Sequence, residues 1–227
     1  MFLPVHDSTP LRVIRLQYVT LALIAVNTLV FLATAAAVSE EALVDLASGV
    51  GIVPAEFTGG GGALDSLPEP LTLVTYQFLH AGWMHLIGNM LFLWVFADNI
   101  EDAWGHAGFL LFYLMCGAAG GLLHVAMQPA SANPLIGASG AVSGVLAGYL
   151  LLFPRARVWI LLFLRIPVRL PAWWVLGGWF ALQVFSLFTG EDGDISVAWW
   201  AHIGGFLAGL AVTLMCRGWL TRRTAAG

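Results

Sequence analysis

Six apolar runs of membrane-spanning length dominate this chain of 227 residues. They occupy residues 16–37, 84–100, 107–127, 138–154, 171–189 and 199–216. A spanning helix needs about 20 consecutive, largely apolar residues. Only 10% of the residues are charged, whereas a typical soluble domain carries about 25%, and the mean hydropathy is +0.86. The sequence therefore predicts an all-α, multi-pass integral membrane protein, built as a bundle of six transmembrane helices.

The charged residues divide between the two sides of this predicted bundle. All the strongly basic residues are arginines, and they fall before the first run, between the fourth and fifth, or after the sixth: Arg12, Arg15, Arg155, Arg157, Arg165, Arg169, Arg217, Arg222 and Arg223. The opposite connections carry acidic residues: Glu40, Glu41, Asp45, Glu56, Asp65, Glu69, Glu191, Asp192 and Asp194. Because arginine-rich connections stay in the cytoplasm, we predict that both termini are cytoplasmic.

Three regions follow from this topology. We predict a cytoplasmic N-terminal segment (1–15), a membrane domain (16–216) and a cytoplasmic C-terminal tail (217–227). The membrane domain contains a long outer connection at 38–83 with no clear secondary structure, a length that is typical of functional or mobile segments. The first run exceeds the apolar core of a cleaved signal, so we expect it to be retained as a helix. We interpret the short apolar stretch Val158–Leu164 as an interfacial segment.

Ser139 opens the fourth run, which is conspicuously short. From Gly140 to Phe153, before the boundary residue Pro154, the run has 14 residues, or about 21 Å of helix, against a hydrocarbon core of about 30 Å. Ser139 is therefore predicted to lie at a helix N-terminus about 10 Å below the outer surface, where free N–H groups favour a developing oxyanion. Alternatively, the small residues around it only allow close helix packing.

His202 opens the sixth run, and two glycines follow it at a spacing of four. Gly205 and Gly209 lie on nearly the same helix face as His202. They match a ridge of small residues that starts at Gly140, so the two helices are predicted to pack closely and bring His202 to Ser139. A hydroxyl and an imidazole are the minimum pair for a nucleophile and its base. A proton relay or a packing role for His202 is the alternative.

A third set of polar residues lies in and just before the second run. His85 and Asn89 are separated by four residues and share one helix face, and His80 precedes them. Their N–H groups suit an oxyanion site; a structural hydrogen-bond network and a metal site are the alternatives. No carboxylate or cysteine stands at metal-ligand spacing, so we predict no metal. Glu101 and Asp102, at the end of this run, are interpreted as a cytoplasmic cap or polar network.

These polar groups form an ordered set of motifs. His85-Leu-Ile-Gly-Asn89, Gly137-Ala-Ser-Gly140 and Ala201-His202-Ile-Gly-Gly205 occur in that order on the second, fourth and sixth runs. Together they resemble the rhomboid family of intramembrane serine proteases, over about residues 16–216. The resemblance implies a six-helix, bacterial-type rhomboid bundle that cleaves single-span membrane proteins in or near their transmembrane helices.

The resemblance also implies roles for individual residues. Ser139 would be the nucleophile, His202 its general base, and His85, Asn89 and the Ser139 N–H the oxyanion hole. Supporting positions would be His80, Gly137, Gly140, Gly205 and Gly209. No cofactor and no nucleic acid are implied, and the fifth helix with the loop after it would gate substrate entry. The implied location is the bacterial inner membrane, with the active site opening to the outer face; the oligomeric state is left open.

The sequence departs from the family pattern at two places. Leu71-Thr72 stands where many members carry Trp-Arg, and Ser143 stands where some carry an aromatic residue that stacks on the base. The second departure leaves open what holds His202. We expect the ten tryptophans to form interface belts and assign none of them to catalysis. Two other functions remain: a catalytically silent relative that binds transmembrane helices, and a small proton-coupled transporter.

Overall fold

The computed structural model describes residues 2–37, 40–59, 67–163, 165–189 and 198–226. Most of the described chain is helical. The helices are α1 (Tyr18–Ala37), α2 (Glu40–Val50), α3 (Pro54–Gly59), α4 (Glu69–Thr75), α5 (Trp83–Trp104), α6 (His106–Met127), α7 (Ser139–Leu152), α8 (Ala172–Thr189) and α9 (Trp199–Ala226). A 3₁₀ turn, Tyr76–Phe78, follows α4, and three strands are β1 (Phe2–Asp7), β2 (Arg157–Leu162) and β3 (Ile166–Pro171).

A helix stands at each of the six apolar runs. Four helices, α1, α6, α8 and α9, are long and apolar enough to cross a membrane. The α4 helix with its 3₁₀ turn forms a pair with α5 that is bent by 87° and counts as a fifth span if taken as one. The 14-residue α7 is apolar but shorter than a spanning helix. A mostly helical membrane bundle is therefore confirmed, while the six-span count and the orientation stay predictions.

Helix α7 forms the centre of the bundle. Its residues 140–149 are all buried, and it packs against α5, α6 and α9. A helix that is enclosed on every side shows no amphipathic pattern, which explains its uniformly apolar and small side chains. The helix begins at Ser139, as the count back from Pro154 predicted. The end of the bundle that contains Ser139 is called the serine end below.

The opposite end carries a three-stranded antiparallel sheet with the order β1-β2-β3. Phe2 pairs with Leu162, and Ile166 pairs with the same residue from the other side. The sheet was not predicted. The stretch interpreted as an interfacial segment is mostly β2, and its partner β1 lies far from it in the sequence. This end is called the sheet end. The segment predicted as a C-terminal tail continues α9 as far as Ala226.

The long outer connection is structured where it is described. It contains α2, α3, α4 and the 3₁₀ turn, so the prediction that it lacks clear secondary structure is wrong for this part. Ile52 and Leu135 form an antiparallel bridge with N–O distances of 3.1 and 2.7 Å, and the Tyr76 hydroxyl donates to the Gly117 carbonyl at 2.6 Å. These contacts fasten the connection to the serine end. The acidic residues Asp65, Glu191, Asp192 and Asp194 lie outside the described residues.

Two buried carboxylates anchor the N-terminal segment at the sheet end. Asp102 accepts backbone N–H bonds from Arg12, Val13 and Ile14 at 3.0, 2.7 and 2.7 Å. Glu101, which is fully buried, accepts from the Thr20 backbone N–H at 2.8 Å and from its hydroxyl at 2.7 Å. The Thr20 bonds satisfy amides in the first turn of α1, which have no partner within the helix. The predicted polar network is therefore present.

The Asp102 anchor gives the first prediction. We expect Asp102→Asn to lower the free energy of unfolding by about 2–3 kcal/mol, because hydrogen bonds to a charged group are lost and an amide NH₂ faces backbone donors. The measurement is reversible denaturation of the detergent-solubilised protein. The matched control is Asp45→Asn on the exposed face of α2. Equal stability of the two variants would contradict the anchoring role of Asp102.

Candidate active site

The serine and histidine singled out from the sequence meet at the serine end. The Oγ atom of Ser139, the first residue of α7, lies 2.8 Å from Nε2 of His202 in the first turn of α9. This distance is that of a hydrogen bond, and His202 is buried, with 8% of its surface exposed. Ser139 is partly exposed. The two groups that can act as nucleophile and base are therefore in direct contact, although 63 residues separate them in sequence.

Glycines make this contact possible by letting two helix backbones touch. A Cβ atom added at Gly205 would collide with the carbonyl oxygen of Gly140, and one at Gly209 would collide with that of Gly144. The contact extends to a third helix, since a Cβ at Gly120 of α6 would lie 2.5 Å from the Ala201 carbonyl oxygen. No side chain larger than hydrogen fits at Gly205 or Gly209 without moving α9 away from α7. The ridge of small residues predicted from the sequence is therefore a backbone-to-backbone contact.

Two tryptophan rings flank the histidine. The Trp179 ring of α8 lies 6.1 Å from the His202 ring, centroid to centroid, at an interplanar angle of 31°. The Trp199 ring lies 5.9 Å away and edge-on, at 89°. Apolar rings at these distances restrict the rotation of the imidazole and exclude water from it. The aromatic contact that Ser143 cannot offer the base therefore comes from α8 and from α9 itself.

Ser143 has a different role in this structure. It is fully buried, and its hydroxyl donates to the Ser139 carbonyl oxygen one turn earlier, at 2.6 Å. The bond keeps the hydroxyl satisfied inside the bundle and points it away from the imidazole. Nδ1 of His202 has no hydrogen-bond partner among the described residues. In the described part of the chain, then, no carboxylate orients the imidazole.

The tryptophans are the functional residues that sequence reasoning missed. Trp199 stands three residues before His202, a spacing that places both on one helix face, so its contact was accessible from the sequence. Trp179 lies on a different helix and shares no spacing with His202. Its contact arises from tertiary packing alone.

A glycine also brings the second helix to the nucleophile. Gly137 has a φ angle of +124°, and a Cβ atom there would lie 2.6 Å from both Cε1 and Nε2 of His85. The backbone just before Ser139 therefore lies directly against the imidazole of His85. Positive φ favours glycine, and so does this close approach. The Gly137 N–H donates to the Tyr76 carbonyl at 2.8 Å, which fixes the segment in place.

The predicted oxyanion donors are partly assembled. The Ser139 amide lies in the first turn of α7, where backbone N–H groups lack helical partners, and it has no hydrogen-bond partner in the described part of the chain. Asn89 is buried on α5, and its Nδ2 donates to the carbonyl of His85 at 3.1 Å. One of the two Nδ2 hydrogens is therefore engaged within its own helix, and the other remains to bind a substrate oxygen.

His80 lies beside this group without joining the serine–histidine contact. Its ring centroid is 5.0 Å from that of His85, in an edge-on arrangement. Among the described residues neither ring nitrogen of His80 has a hydrogen-bond partner, although the side chain is buried. The structure thus brings Ser139, His202, His85 and Gly137 together, and it places His80 one ring farther out. No group of three or more metal-ligating side chains occurs in the ranges that the structure describes.

Comparison with known proteins gives a consistent result. A family model described as "Rhomboid domain" matches residues 68–219. Among curated proteins, the chain is similar to Rhomboid-like protease 3 of Toxoplasma gondii, with 31% identity over 62% of this chain and 49% of that protein. It is also similar to Rhomboid protein 1, mitochondrial, of Saccharomyces cerevisiae, with 32% identity over 48% and 32% of the two chains.

A bacterial relative is matched over a shorter region. Rhomboid protease GluP of Bacillus subtilis shares 38% identity over 34% of this chain and 15% of its own length. In four curated relatives, the aligned region covers 29% to 49% of their own lengths, so the chain spans less than half of each. The region that the family model matches includes Ser139 and His202.

The glycine contact gives the second prediction. We expect Gly205→Ala to destabilise the protein by about 1–3 kcal/mol, because the added methyl group must push the α9 backbone away from the Gly140 carbonyl. Gly218→Ala in the same helix is the control, since a Cβ there meets no atom within 4 Å. Thermal unfolding of the two variants in one detergent measures the difference. A Gly205→Ala protein as stable as Gly218→Ala would show that the two helices do not need this contact.

Proposed function

Since this chain belongs to the rhomboid family, we propose that it is an intramembrane serine endopeptidase. Its proposed substrates are single-span membrane proteins, which it cleaves in or near the transmembrane segment. The observation that carries the proposal is the 2.8 Å contact between Ser139 Oγ and His202 Nε2. A serine hydroxyl is a weak nucleophile until an adjacent base takes its proton, and this geometry supplies that base.

The proposed first half-reaction forms an acyl-enzyme. Ser139 Oγ attacks the carbonyl carbon of the scissile peptide bond while Nε2 of His202 takes the hydroxyl proton. The tetrahedral intermediate then collapses, and His202 gives the same proton to the departing amide nitrogen. The Trp179 and Trp199 rings favour this sequence because they hold the imidazole in one orientation between accepting and returning the proton.

The proposed oxyanion hole uses the Ser139 amide together with His85 and Asn89. Negative charge develops on the carbonyl oxygen in the tetrahedral intermediate, and N–H donors in a dry site stabilise it strongly. The amide at the start of α7 also lies at the positive end of the helix dipole. The close contact of His85 with Gly137 supports its part in this group. Asn89 donates through the second hydrogen of its Nδ2, which the His85 carbonyl does not occupy.

Deacylation requires water at the serine end. A water molecule attacks the acyl carbon, His202 takes its proton, and collapse of the intermediate releases a carboxylate and restores the Ser139 hydroxyl. The partial exposure of Ser139 supports access of water to this end. We assign this end to the outer face of the membrane, because the arginine distribution puts the sheet end in the cytoplasm. The reaction as written needs no cofactor.

Substrate entry is proposed beside α8. Only four of its 18 residues are buried, and the last of them is Gln183. Its aromatic contacts to the bundle include a stack of Phe180 on Phe206, with centroids 3.9 Å apart. A helix with so little buried surface separates from its neighbours at low cost. Moving α8 would open the apolar wall beside His202 to a substrate helix. The loop after α8 falls outside the described residues.

The proposed location is the bacterial inner membrane, with both termini in the cytoplasm. Relatives of this chain carry mitochondrial and chloroplast names as well as a bacterial one, so an organelle membrane is the alternative. A second function, a silent relative that binds transmembrane helices without cutting them, is disfavoured by the intact Ser139–His202 contact. A proton-coupled transporter is disfavoured because neither ring nitrogen of His80 has a hydrogen-bond partner among the described residues.

The third prediction tests the activity itself. We expect wild-type protein in liposomes to cleave a model single-span substrate and to react with a fluorophosphonate probe. Ser139→Ala is expected to lose both cleavage and labelling, because the nucleophile is gone, and His202→Ala to lose cleavage, because the hydroxyl is no longer activated. Gel analysis of substrate fragments and probe fluorescence gives both readouts.

The controls for this test lie away from the dyad. Ser131→Ala and His6→Ala remove the same side-chain types from a loop and from an exposed strand position, and both are expected to cleave at the wild-type rate. Cleavage that persists in Ser139→Ala, or a folded wild type that the probe does not label, would show that the protein is not a serine protease of this kind.

The fourth prediction concerns the oxyanion donors. We expect His85→Ala and Asn89→Ala each to lower kcat by about 10- to 10³-fold, as the loss of one oxyanion donor does. The KM for the substrate is expected to change little, since the lost bond forms in the transition state. Steady-state cleavage in liposomes measures both constants. Wild-type kcat in both variants would assign the cluster to a structural role.

A further inference from the structure

The sheet end contains a large cavity that the proposed reaction does not use. It has a volume of about 750 Å³ and opens to the surface between the N-terminal segment, the turn from α7 to β2, and α9. Three arginines line it: Arg12, Arg155 and Arg217. Each comes from a different part of the chain, so the fold brings three of the nine arginines together at one cavity.

None of these arginines forms an ion pair in the part of the chain that the structure describes, where the one pair within 4.0 Å joins His106 to Glu101. Asp102, which bonds the Arg12 backbone N–H, accepts three backbone N–H groups in all. Asp7 likewise accepts from the Tyr149 hydroxyl and from the Thr9 backbone. Both carboxylates are thus bonded to other donors.

The wall of the cavity is apolar on one side. Leu152 and Phe153 at the end of α7, and Trp173 at the start of α8, line it together with the arginines. Trp173 lies at the start of α8, which is long and apolar enough to span a membrane, and tryptophan is enriched where spanning helices reach the bilayer boundary. The cavity therefore combines three arginines with apolar residues beside the start of a candidate spanning helix.

We propose that this cavity binds the phosphate headgroup of an anionic phospholipid. Guanidinium groups form paired hydrogen bonds to phosphate oxygens, and the apolar wall suits the upper part of an acyl chain. Basic pockets between spanning helices on the cytoplasmic side are typical lipid headgroup sites. The proposal does not rest on the proposed protease activity, because none of the cavity residues belongs to the serine end.

The test measures lipid binding directly. The full-length protein in detergent is titrated with short-chain phosphatidylglycerol or phosphatidylcholine, and bound lipid is counted by native mass spectrometry. We expect the wild type to hold one phosphatidylglycerol at least about tenfold more tightly than phosphatidylcholine, since each basic residue near an anionic headgroup strengthens binding about fivefold. The preference is expected to weaken with added salt, because the cavity is open to solvent.

Two triple variants of equal charge separate the cavity from the basic surface as a whole. Arg12→Gln, Arg155→Gln and Arg217→Gln together are expected to abolish the preference for phosphatidylglycerol. The matched control replaces three exposed arginines outside the cavity, Arg15, Arg165 and Arg222, and is expected to keep it. Thermal unfolding checks that each variant is folded. If the cavity triple does not fold, Arg155→Gln alone is expected to weaken phosphatidylglycerol binding about fivefold.

Three results would overturn the proposal. The first is an equal loss of preference in both triple variants, which would indicate diffuse attraction to a basic surface. The second is a cavity variant, folded as the wild type is, that still prefers phosphatidylglycerol. The third is inorganic phosphate that binds the wild type as tightly as the short-chain lipid does, which would make a free anion the ligand of the cavity.

Discussion

The direct contact between the α7 and α9 backbones is the constraint on which the rest of the structure depends. In a membrane, helix association draws on close packing and interhelical hydrogen bonds, because lipid is as apolar as the helix surface. Gly205 and Gly209 remove the side chains that would hold the axes apart, and α9 then touches the carbonyl groups of α7. The short distance between Ser139 Oγ and His202 Nε2 depends on this contact between the two helices.

The short length of α7 imposes a second requirement. A helix of 14 residues is shorter than a spanning helix, and non-helical backbone persists within a membrane only where the protein satisfies its polar groups. The outer connection does this at the serine end, through the Ile52–Leu135 bridge and the bond from Gly137 to Tyr76. At the other end the sheet closes over the turn that follows α7. Segments that the sequence analysis interpreted as connections therefore pack against both ends of α7.

The sequence predicted a helix at each apolar run, the start of a short helix at Ser139 and the pairing of Ser139 with His202, because hydropathy, helix length and glycine spacing are local properties. It did not predict the sheet, since β1 and β2 stand far apart and the pattern of β2 resembles a short apolar stretch. The helices α2 and α3 were missed because they are short and stand beside glycine-rich sequence. The contact of Trp179 with His202 depends on how α8 packs, which no spacing encodes. The sheet and the Trp179 contact were missed because both depend on how segments distant in sequence pack together.

The pairing of β1 with β2 also sets an order for folding. Phe2 leaves the ribosome long before its partner Leu162, which is made only after the α7 segment has been synthesised. Contacts of such high sequence separation form late, because a long chain loop must close before they contribute. The Asp102 and Glu101 bonds to the segment before α1 and to its first turn can form earlier, once α5 is inserted. These bonds would hold the N-terminal segment near the sheet end until β2 has been synthesised and can pair with β1.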